Sequence, residues 1–326
     1  MGIRNRSEKM ISQCKQKYGS PDNINLSKLL ISDDTIMHEA TALALLSNEL
    51  FGKAIVDEYI KCWQRMTPER AAGTTCKNAI EKIIKTKSTN MCQYEQYGGG
   101  NGASMRAMCI GLYHNGIADR NDLIIKSILS SIVTHHNATA YLGAIVSALF
   151  TSFAIEKVKI ENWGVSLLEL FPTIHQHIIK KGVSEGELND VKKFYKKFKT
   201  FLENRNIHKN DSRIFFPNNF NNVVIREQIW KEWNFSGWNG ASGDDSVMIA
   251  YDALLYAKND WNKLLEVACL HSGDSDSTGT IAASWYGAYY GEDNIPKKQK
   301  ETVENCNFLK TIAVKLYEKA NNFNYK

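Results

Sequence analysis

Residues 271–279 have the sequence HSGDSDSTG, in which Asp274 and Asp276 alternate with serines at the start of a helical segment. One helix cap requires one oxygen, so capping leaves the other oxygens of this stretch unexplained. Neighbouring carboxylates repel one another unless a cation neutralises them. Oxygen ligands without clustered Cys or His suit hard cations, namely magnesium, manganese or calcium. The calcium-binding EF-hand loop is excluded because its final Glu is replaced by Trp285.

The segment that follows carries small residues at every fourth position, namely Gly279, Ala283, Gly287 and Gly291. Glycine inside a helix costs about 1 kcal/mol relative to alanine, so such a series needs a structural reason. Small side chains let a neighbouring helix approach closely. The series therefore predicts a helix at the centre of a bundle, which holds the acidic stretch on a rigid support.

A second acidic stretch lies near the N-terminus, where residues 31–38 read ISDDTIMH. Helix capping explains Ser32, Asp33 and Asp34 equally well when this stretch is taken alone. Together with residues 271–279, it is interpreted as the other half of one site that holds one or two divalent ions. Two neighbouring metal ions usually bind phosphate or sugar oxygens and activate water.

Most of the remaining sequence has helical periodicity. Apolar residues recur at helical spacing over 34–49, 55–66, 103–111, 123–133, 141–156, 248–257, 261–270, 278–290 and 302–320. There is no sustained alternation of β-branched residues and no hairpin signal. An all-α protein without a marked domain boundary is therefore expected.

Lysines and aromatic residues interleave over 191–199, which read VKKFYKKFK. This pattern fits an anionic or nucleic-acid surface. An amphipathic helix with solvated lysines and buried Phe194 and Phe198 also explains it, and this is the interpretation that we favour.

The composition of the 326 residues, with 43% apolar and 23% charged side chains, excludes a disordered chain. A net charge of +5 does not indicate a nucleic-acid partner. Seven scattered cysteines without a CxxC pair predict a reducing, cytoplasmic location. No run of about 18–20 apolar residues predicts a membrane span. We expect a monomer.

A glycine-rich loop leads into a helix at residues 97–106, YGGGNGASMR. Backbone N–H groups in such a loop can bind an anion, commonly phosphate, although a flexible turn is equally compatible. The adjacent His135 and His136 are expected to face different ways, which argues against a two-histidine metal site. Residues 235–243, FSGWNGASG, offer aromatic side chains for stacking on a base or a guanidinium group.

The early Ser-Asp-Asp-Thr, the central Gly-Asn-Gly-Ala-Ser-Met-Arg and the late Gly-Asp-Ser-Asp-Ser-Thr-Gly together resemble the ADP-ribosylglycohydrolase family. The branch of ADP-ribosylarginine hydrolases is the most similar, because residues 105–112, 134–136 and 236–238 match it. The resemblance covers about 31–291. It implies an all-α fold, a single compact orthogonal helical bundle around a dinuclear metal site.

The resemblance also implies roles for individual residues. The metal ligands would be Ser32, Asp33, Asp34, Asp274, Asp276 and Ser277, and the cofactor two Mg²⁺ ions, with Mn²⁺ as the alternative. The diphosphate and the adjacent ribose would lie on Gly100, Asn101, Gly102, Ala103 and Ser104. The substrate would be lined further by Gly73, Thr74, Thr75, His135, Ala140, Tyr141, Leu142, Phe235, Ser236, Gly237, Trp238 and Ser242. Phe235 stands where this branch tends to have tyrosine, so a hydroxyl contact is lost there.

The implied reaction is hydrolysis of the N-glycosidic bond between ADP-ribose and an arginine of a mono-ADP-ribosylated protein. The partners would be ADP-ribosylated proteins and ADP-ribose. Asp33, Asp34 or Asp276 would orient or deprotonate the attacking water, and the sequence leaves open which of them is the base. Serine-linked and polymeric ADP-ribose are less compatible with the residues typical of the arginine branch.

The N-terminus departs from the family. Family members open with a helix carrying a Gly-Asp-Ala-like segment, followed by an acidic residue on a mobile loop over the site. Here residues 7–30 match only the connection into Ser32, so the expectation is one domain over 1–326 without that first helix and loop. A non-catalytic ADP-ribose-binding or scaffold protein of the same fold is the alternative function.

Overall fold

The computed structural model describes residues 4–87, 92–208, 213–234 and 237–323. In these residues the chain forms fifteen α-helices and no β-strand, which confirms the all-α prediction. The helices are α1 (Arg4–Tyr18), α2 (Asp33–Leu46), α3 (Phe51–Trp63), α4 (Thr74–Thr86), α5 (Met108–Tyr113), α6 (Arg120–Ile132), α7 (Ala138–Ile155), α8 (Trp163–Lys180), α9 (Glu185–Asn204), α10 (Val223–Lys231), α11 (Gly243–Ala257), α12 (Trp261–Cys269), α13 (Ser275–Tyr290), α14 (Lys297–Thr302) and α15 (Cys306–Phe323).

Helix α7 is the central helix of the bundle. It is apolar on all sides and contacts α5, α6, α9, α11 and α13, as well as the 3₁₀ helix Asn101–Arg106. By length and composition α7 would also span a membrane, which the sequence analysis did not predict. However, 89% of its residues are buried inside the protein, so its apolar character is accounted for by core packing.

Close helix contacts in this core depend on glycine. A Cβ added at Gly143 in α7 would lie 2.1 Å from the carbonyl oxygen of Gly243, the first residue of α11. A Cβ at Gly243 would lie 2.3 Å from the carbonyl oxygen of Thr139. The start of α11 therefore rests directly on the backbone of α7.

Only part of the series of small residues on α13 makes close contacts with a neighbouring helix. A Cβ at Gly279 would lie 2.6 Å from Cys269 Sγ on α12, which agrees with the predicted close approach. Nothing lies within 4 Å of a Cβ at Gly287, so that position faces open space. Trp285 is instead the fully buried side chain by which α13 packs on the centre of the bundle. Its Nε1–H donates to the carbonyl oxygen of Ser147 in α7 at 3.0 Å.

A second, smaller core lies between α2, α3 and α4. It packs residues such as Ile36, Met37, Ile55 and Tyr59 beneath the start of α2. This core supports the early acidic stretch in the same way that α12 and α13 support the late one. Helix α15 packs along α2 and α5 from outside.

Several elements differ from their predicted form. The helix expected over 103–111 is divided into the 3₁₀ helix Asn101–Arg106 and the short α5. Helices α1, α4, α8, α10 and α14 were not predicted from the sequence. Residues 7–30, assigned to a connection, include most of α1 and two short 3₁₀ turns.

The lysine-rich segment 191–199 lies within α9 and takes the amphipathic form. Phe194 and Phe198 are buried, as predicted, and their rings stack at 6.2 Å. A capping box, in which Ser184 and Glu187 satisfy each other's backbone N–H groups, begins the helix.

Candidate metal centre and substrate site

Helices α2 and α13 bring the two acidic stretches together at their N-termini. Carboxylate oxygens of Asp33, Asp34 and Asp276 lie within 4.8 Å of one another. Asp33 and Asp34 form the first turn of α2, and Asp276 lies in the first turn of α13. The positive ends of two helix dipoles therefore point at the cluster and favour its negative charge.

The cluster is closed on one side and open on the other. Asp33 and Asp34 are buried, whereas Asp276 is exposed. Ser32 Oγ donates to Asp34 Oδ2 at 3.0 Å, and the backbone N–H of Gly73 donates to Asp33 Oδ2 at 3.2 Å. These bonds fix the two buried carboxylates, while a ligand can approach from the side of Asp276.

Burial and mutual repulsion perturb the titration of the acids. Burial first, and then the charge of Asp276, raise the pKa of Asp33 to about 6, against the hydrogen bond from Gly73. The same two causes raise the pKa of Asp34 well above its usual range. Burial and the neighbouring carboxyl of Asp276 raise the pKa of Asp274 to about 7. Without a cation, the site thus holds carboxylates under strong repulsion.

The donor set fits a hard divalent cation. Oδ1 of Asp34 is buried and has no hydrogen-bond partner among the described residues. A buried carboxylate oxygen without a partner is costly unless something absent from the protein chain neutralises it. Together with the carboxylates of Asp33 and Asp276, it provides the oxygen-only environment that Mg²⁺ and Mn²⁺ prefer.

Asp274 is tied to the glycine-rich loop. Asn101 Nδ2 donates to Asp274 Oδ2 and to the carbonyl oxygen of Gly240, both at 2.8 Å. The loop also pairs with the segment before α11, since Asn101 N donates to the carbonyl oxygen of Ala241 at 3.1 Å and Gly243 N to that of Gly99 at 2.9 Å. Three loops distant in sequence thus form one continuous wall beside the acids.

His135 lines the glycine-rich loop. A Cβ at Gly102 would lie 2.6 Å from His135 Cε1, and one at Gly100 would lie 3.3 Å from His135 Nε2. Burial and the nearby Arg106 lower the pKa of His135 to about 3, so the ring is neutral at physiological pH. Its Nδ1 is hydrogen-bonded to Thr134 Oγ1 at 2.8 Å, which leaves Nε2 facing the loop.

His136 points elsewhere, as expected for adjacent histidines. Its Nδ1 donates to the carbonyl oxygen of Cys92 at 2.5 Å, and its Nε2 lies 3.3 Å from Glu187 Oε1. The described residues therefore contain no metal site that joins both histidines.

The segment before α11 is held by a capping box. Asp245 accepts hydrogen bonds from Ser242 N at 2.9 Å and Gly240 N at 3.0 Å, and burial raises its pKa to about 7. Ser242 Oγ donates to Asp244 Oδ1 at 2.5 Å. Ser242 also faces Gly100 across an isolated antiparallel bridge, which places it beside the glycine-rich loop.

The other predicted substrate residues have varied surroundings. Gly73 and Thr74 are exposed and Thr75 is half-buried, at the start of α4. Asn101, Gly102, Ala103 and Ser104 are buried, as are Ala140, Tyr141 and Leu142 in α7. Gly237 and Trp238 are exposed, and Trp238 Nε1 donates to the carbonyl oxygen of Ser272 at 3.2 Å. Phe235 and Ser236 lie outside the described residues.

Ser277 lies below the acids. It is buried in α13, its hydroxyl donates to Met105 Sδ at 3.9 Å, and its proximity partly offsets the rise in the pKa of Asp34. Ser277 therefore lies close to the acids, and its role as a metal ligand stays a prediction.

Several residues that support the site were not predicted from the sequence. Asp245 could have been found, because Ser242 and Asp245 have capping-box spacing. Arg106 lies within the Gly-Asn-Gly-Ala-Ser-Met-Arg motif, which does not reveal its supporting role, and Glu227 lies in none of the motifs. Arg106 is fully buried, donates to the carbonyl oxygen of Ser130 at 2.7 Å and to Thr134 Oγ1 at 2.8 Å, and lies over the Tyr59 ring.

The fold and this site define a family. The family model described as ADP-ribosylglycohydrolase matches residues 3–324, almost the whole chain. The chain belongs to the ADP-ribosylglycohydrolase family, which confirms the resemblance found in its sequence motifs.

Individual relatives agree with this assignment. The chain is 33% identical to the ADP-ribosylhydrolase ARH1 of Dictyostelium discoideum, over 94% of this chain and 86% of that protein. It is 25% identical to the mouse ADP-ribosylhydrolase ARH3, over 92% of this chain and 80% of that protein. A solved structure titled ADP-ribosylglycohydrolase-related protein complex superposes with a TM-score of 0.58 at 18% identity, over 89% of this chain and 81% of that one. That similarity confirms the fold class.

Proposed function

We propose that this protein is a metal-dependent hydrolase that removes ADP-ribose from arginine side chains of mono-ADP-ribosylated proteins. The observation that carries the proposal is the cluster of Asp33, Asp34 and Asp276, with carboxylate oxygens within 4.8 Å of one another. Family membership supports hydrolysis at an ADP-ribosyl group, and the arginine linkage is inferred from the motifs shared with the arginine branch.

We propose that the cofactor is a pair of Mg²⁺ ions held by Ser32, Asp33, Asp34, Asp274, Asp276 and Ser277, with Mn²⁺ able to replace them. When bound, such ions would orient the ribose hydroxyls and lower the pKa of a water molecule. The unpartnered Oδ1 of Asp34 and the raised pKa values of Asp33 and Asp274 support this ligand set.

The chain's own residues would then direct the hydrolysis. Water oxygen bonds to the anomeric carbon of ribose, and the bond from that carbon to the guanidinium nitrogen breaks. One proton of the water passes to an aspartate among Asp33, Asp34 and Asp276, and the arginine leaves as a neutral or reprotonated guanidine. Positive charge develops on the ribose during this step, and the nearby carboxylates stabilise it.

Substrate binding follows from the wall beside the acids. The diphosphate would lie on residues 100–104, where the start of the 3₁₀ helix offers N–H groups to an anion, apart from that of Asn101, which donates to Ala241. His135 is neutral and presents Nε2 to this loop, so it adds a hydrogen-bonding group without a charge that would vary with pH. The exposed Trp238 would stack on the adenine or the arginine side.

The decisive experiment measures release of free ADP-ribose from an arginine-ADP-ribosylated protein, with Mg²⁺ and with EDTA. We expect Mg²⁺-dependent release by the wild type and loss of release in Asp33→Ala and Asp34→Ala variants. The Asp293→Ala variant is the matched control, since it removes an exposed carboxylate that lies beyond the C-terminal end of α13 and outside the acidic cluster.

Unchanged turnover in Asp33→Ala and Asp34→Ala would overturn the proposal. ADP-ribose binding by a folded wild type without any turnover would favour the alternative, a non-catalytic ADP-ribose-binding protein. A parallel assay with serine-linked ADP-ribose tests the linkage, and faster release from serine than from arginine would contradict the arginine assignment.

We further propose a cytoplasmic monomer that acts on ADP-ribosylated proteins without binding nucleic acid or a membrane. The seven cysteines, all of them free, support a reducing compartment. Sedimentation of the purified protein at several concentrations tests the monomer.

A further inference from the structure

Helix α10 carries a buried carboxylate that the reaction itself does not require. Glu227 is 3% exposed, although it lies neither in the acidic cluster nor in the glycine-rich loop. A buried carboxylate persists only where hydrogen bonds satisfy it. The partners of Glu227 therefore indicate its role.

Glu227 holds the loop that enters α13. Its Oε1 accepts a hydrogen bond from the backbone N–H of Ser272 at 2.6 Å, two residues before Asp274. The carbonyl oxygen of Ser272 accepts from Trp238 Nε1 at 3.2 Å. Ser272 is therefore fixed on both sides, by α10 and by the segment that precedes α11.

The backbone of Glu227 secures the same loop through Asn239. Asn239 Nδ2 donates to the carbonyl oxygen of Glu227 at 3.3 Å, and the carbonyl oxygen of Asn239 accepts from Asp274 N at 2.8 Å. The contact is tight, because a Cβ at Gly273 would lie 2.0 Å from that oxygen. The position of Asp274 thus depends on α10 through two separate routes.

The same oxygen of Glu227 also binds α1. Ser7 Oγ, fully buried in α1, donates to Glu227 Oε1 at 2.5 Å. Helix α1 contacts α10 and the turn after α1, and it lies outside both hydrophobic cores. One carboxylate oxygen therefore joins the N-terminal helix to the loop that carries Asp274.

We infer that Glu227 is a positioning residue for the metal-binding loop 272–276, and that α1, through Ser7, is part of this support. Residues that orient metal ligands commonly contribute about 10- to 100-fold to metal affinity. The positioning role rests on the structure alone, and only its effect on Mg²⁺ rests on the proposed function.

The test compares Glu227→Ala, Glu227→Gln and Ser7→Ala with the wild type and with Glu232→Ala, an exposed acid one residue beyond α10. Two properties are measured without substrate: hydrogen exchange at the Ser272 and Gly273 amides in EDTA, and Mg²⁺ affinity by calorimetry. Glu227→Ala should accelerate exchange at both amides and weaken Mg²⁺ binding about 10-fold or more. Glu227→Gln keeps an acceptor oxygen, so its amide exchange and its Mg²⁺ affinity should both stay close to those of the wild type.

Ser7→Ala keeps Glu227 and is expected to fold even if Glu227→Ala does not. It should accelerate exchange in α1 and, to a smaller extent, at Ser272. Wild-type exchange at Ser272 in a folded Glu227→Ala variant, or faster exchange with unchanged Mg²⁺ affinity, would overturn the positioning role. If the wild type binds no Mg²⁺, the proposed metal site is wrong. The hydrogen-exchange data alone then test whether Glu227 positions the loop 272–276.

Discussion

At the scale of single residues, the site is a place where the folded chain keeps like charges together at a cost in stability. Asp33 is 6% exposed, and its raised pKa means that the folded state disfavours the ionised carboxylate. The same burial and repulsion that lower the stability of the free protein create affinity for a cation. Stability and function therefore conflict at this residue.

Replacing Asp33 by Asn should expose this conflict. In EDTA at pH 8 we expect Asp33→Asn to raise the free energy of unfolding by about 3 kcal/mol, because the wild-type carboxyl must stay ionised at this pH although folding raises its pKa to about 6. Urea unfolding at pH 8 measures it. Added Mg²⁺ should not raise the free energy of unfolding of this variant. A variant that is less stable than the wild type in EDTA would contradict the repulsion.

Binding of Mg²⁺ should weaken as the pH falls. Asp274 and Asp33, with pKa values of about 7 and about 6, take up protons in the folded protein as the pH drops from 8 to 6, and these protons compete with the cation. We expect a loss of about 10-fold or more in Mg²⁺ affinity between pH 8 and pH 6, measured by calorimetry at constant ionic strength. Affinity that is independent of pH would show that these carboxyls do not bind the ion.

At the scale of elements, the acidic stretches and the helices that carry them were accessible from the sequence, because capping-type clusters precede apolar helical periodicity. The residues that support the site could not be predicted from the sequence. Glu227 lies within a short helix, and its partners Ser7 and Ser272 are 220 and 45 residues away along the chain. Local patterns carry no information on such contacts.

The small residues on α13 show the same limit. Spacing predicted one packed series, whereas the structure packs Gly279 closely and leaves Gly287 open. Residues 103–111 were likewise read as one helix, although a 3₁₀ turn places the buried Asn101 towards Asp274. The periodicity of apolar residues does not distinguish a 3₁₀ turn from an α-helical turn over so few residues.

Glycine substitutions in two central helices should act in opposite directions. Gly143→Ala would place Cβ against the backbone of α11, and backbone cannot move as a side chain does, so we expect a loss of at least about 3 kcal/mol in stability. Gly287→Ala meets no atom within 4 Å and should gain about 0.5–1 kcal/mol from reduced flexibility of the unfolded chain. Thermal and urea unfolding of the two variants compare them directly, and equal effects would refute the difference in packing.

At the scale of the whole molecule, neutral histidines are distributed through the interior. Burial lowers the pKa of His38 to about 4 and those of His114, His135 and His271 to about 3. Below pH 6.5 the unfolded chain binds more protons at these positions than the folded chain, so they reduce stability as the pH falls. Their contribution is unaffected above pH 6.5.

His38→Gln should therefore resist acid better than the wild type. His38 Nε2 accepts from Cys109 N at 2.9 Å, and a glutamine oxygen can accept the same bond without ever being protonated. Between pH 7.5 and pH 5 we expect the variant to lose about 1 kcal/mol less stability than the wild type, after allowance for the partial exposure of this histidine. Urea unfolding at both pH values checks this, and parallel losses would contradict it.

The central position of α7 has a consequence for synthesis of the protein. Helix α7 ends at Ile155, but α11, which covers one of its sides, begins only at Gly243, and α13 begins at Ser275. A ribosome adding about 5–20 residues per second therefore leaves this apolar helix without α11 for roughly 4 to 18 s, and without α13 for roughly 6 to 24 s. During that interval the nascent chain presents a surface suited to chaperones, and a ribosome that stalls between α7 and α11 would release an aggregation-prone fragment.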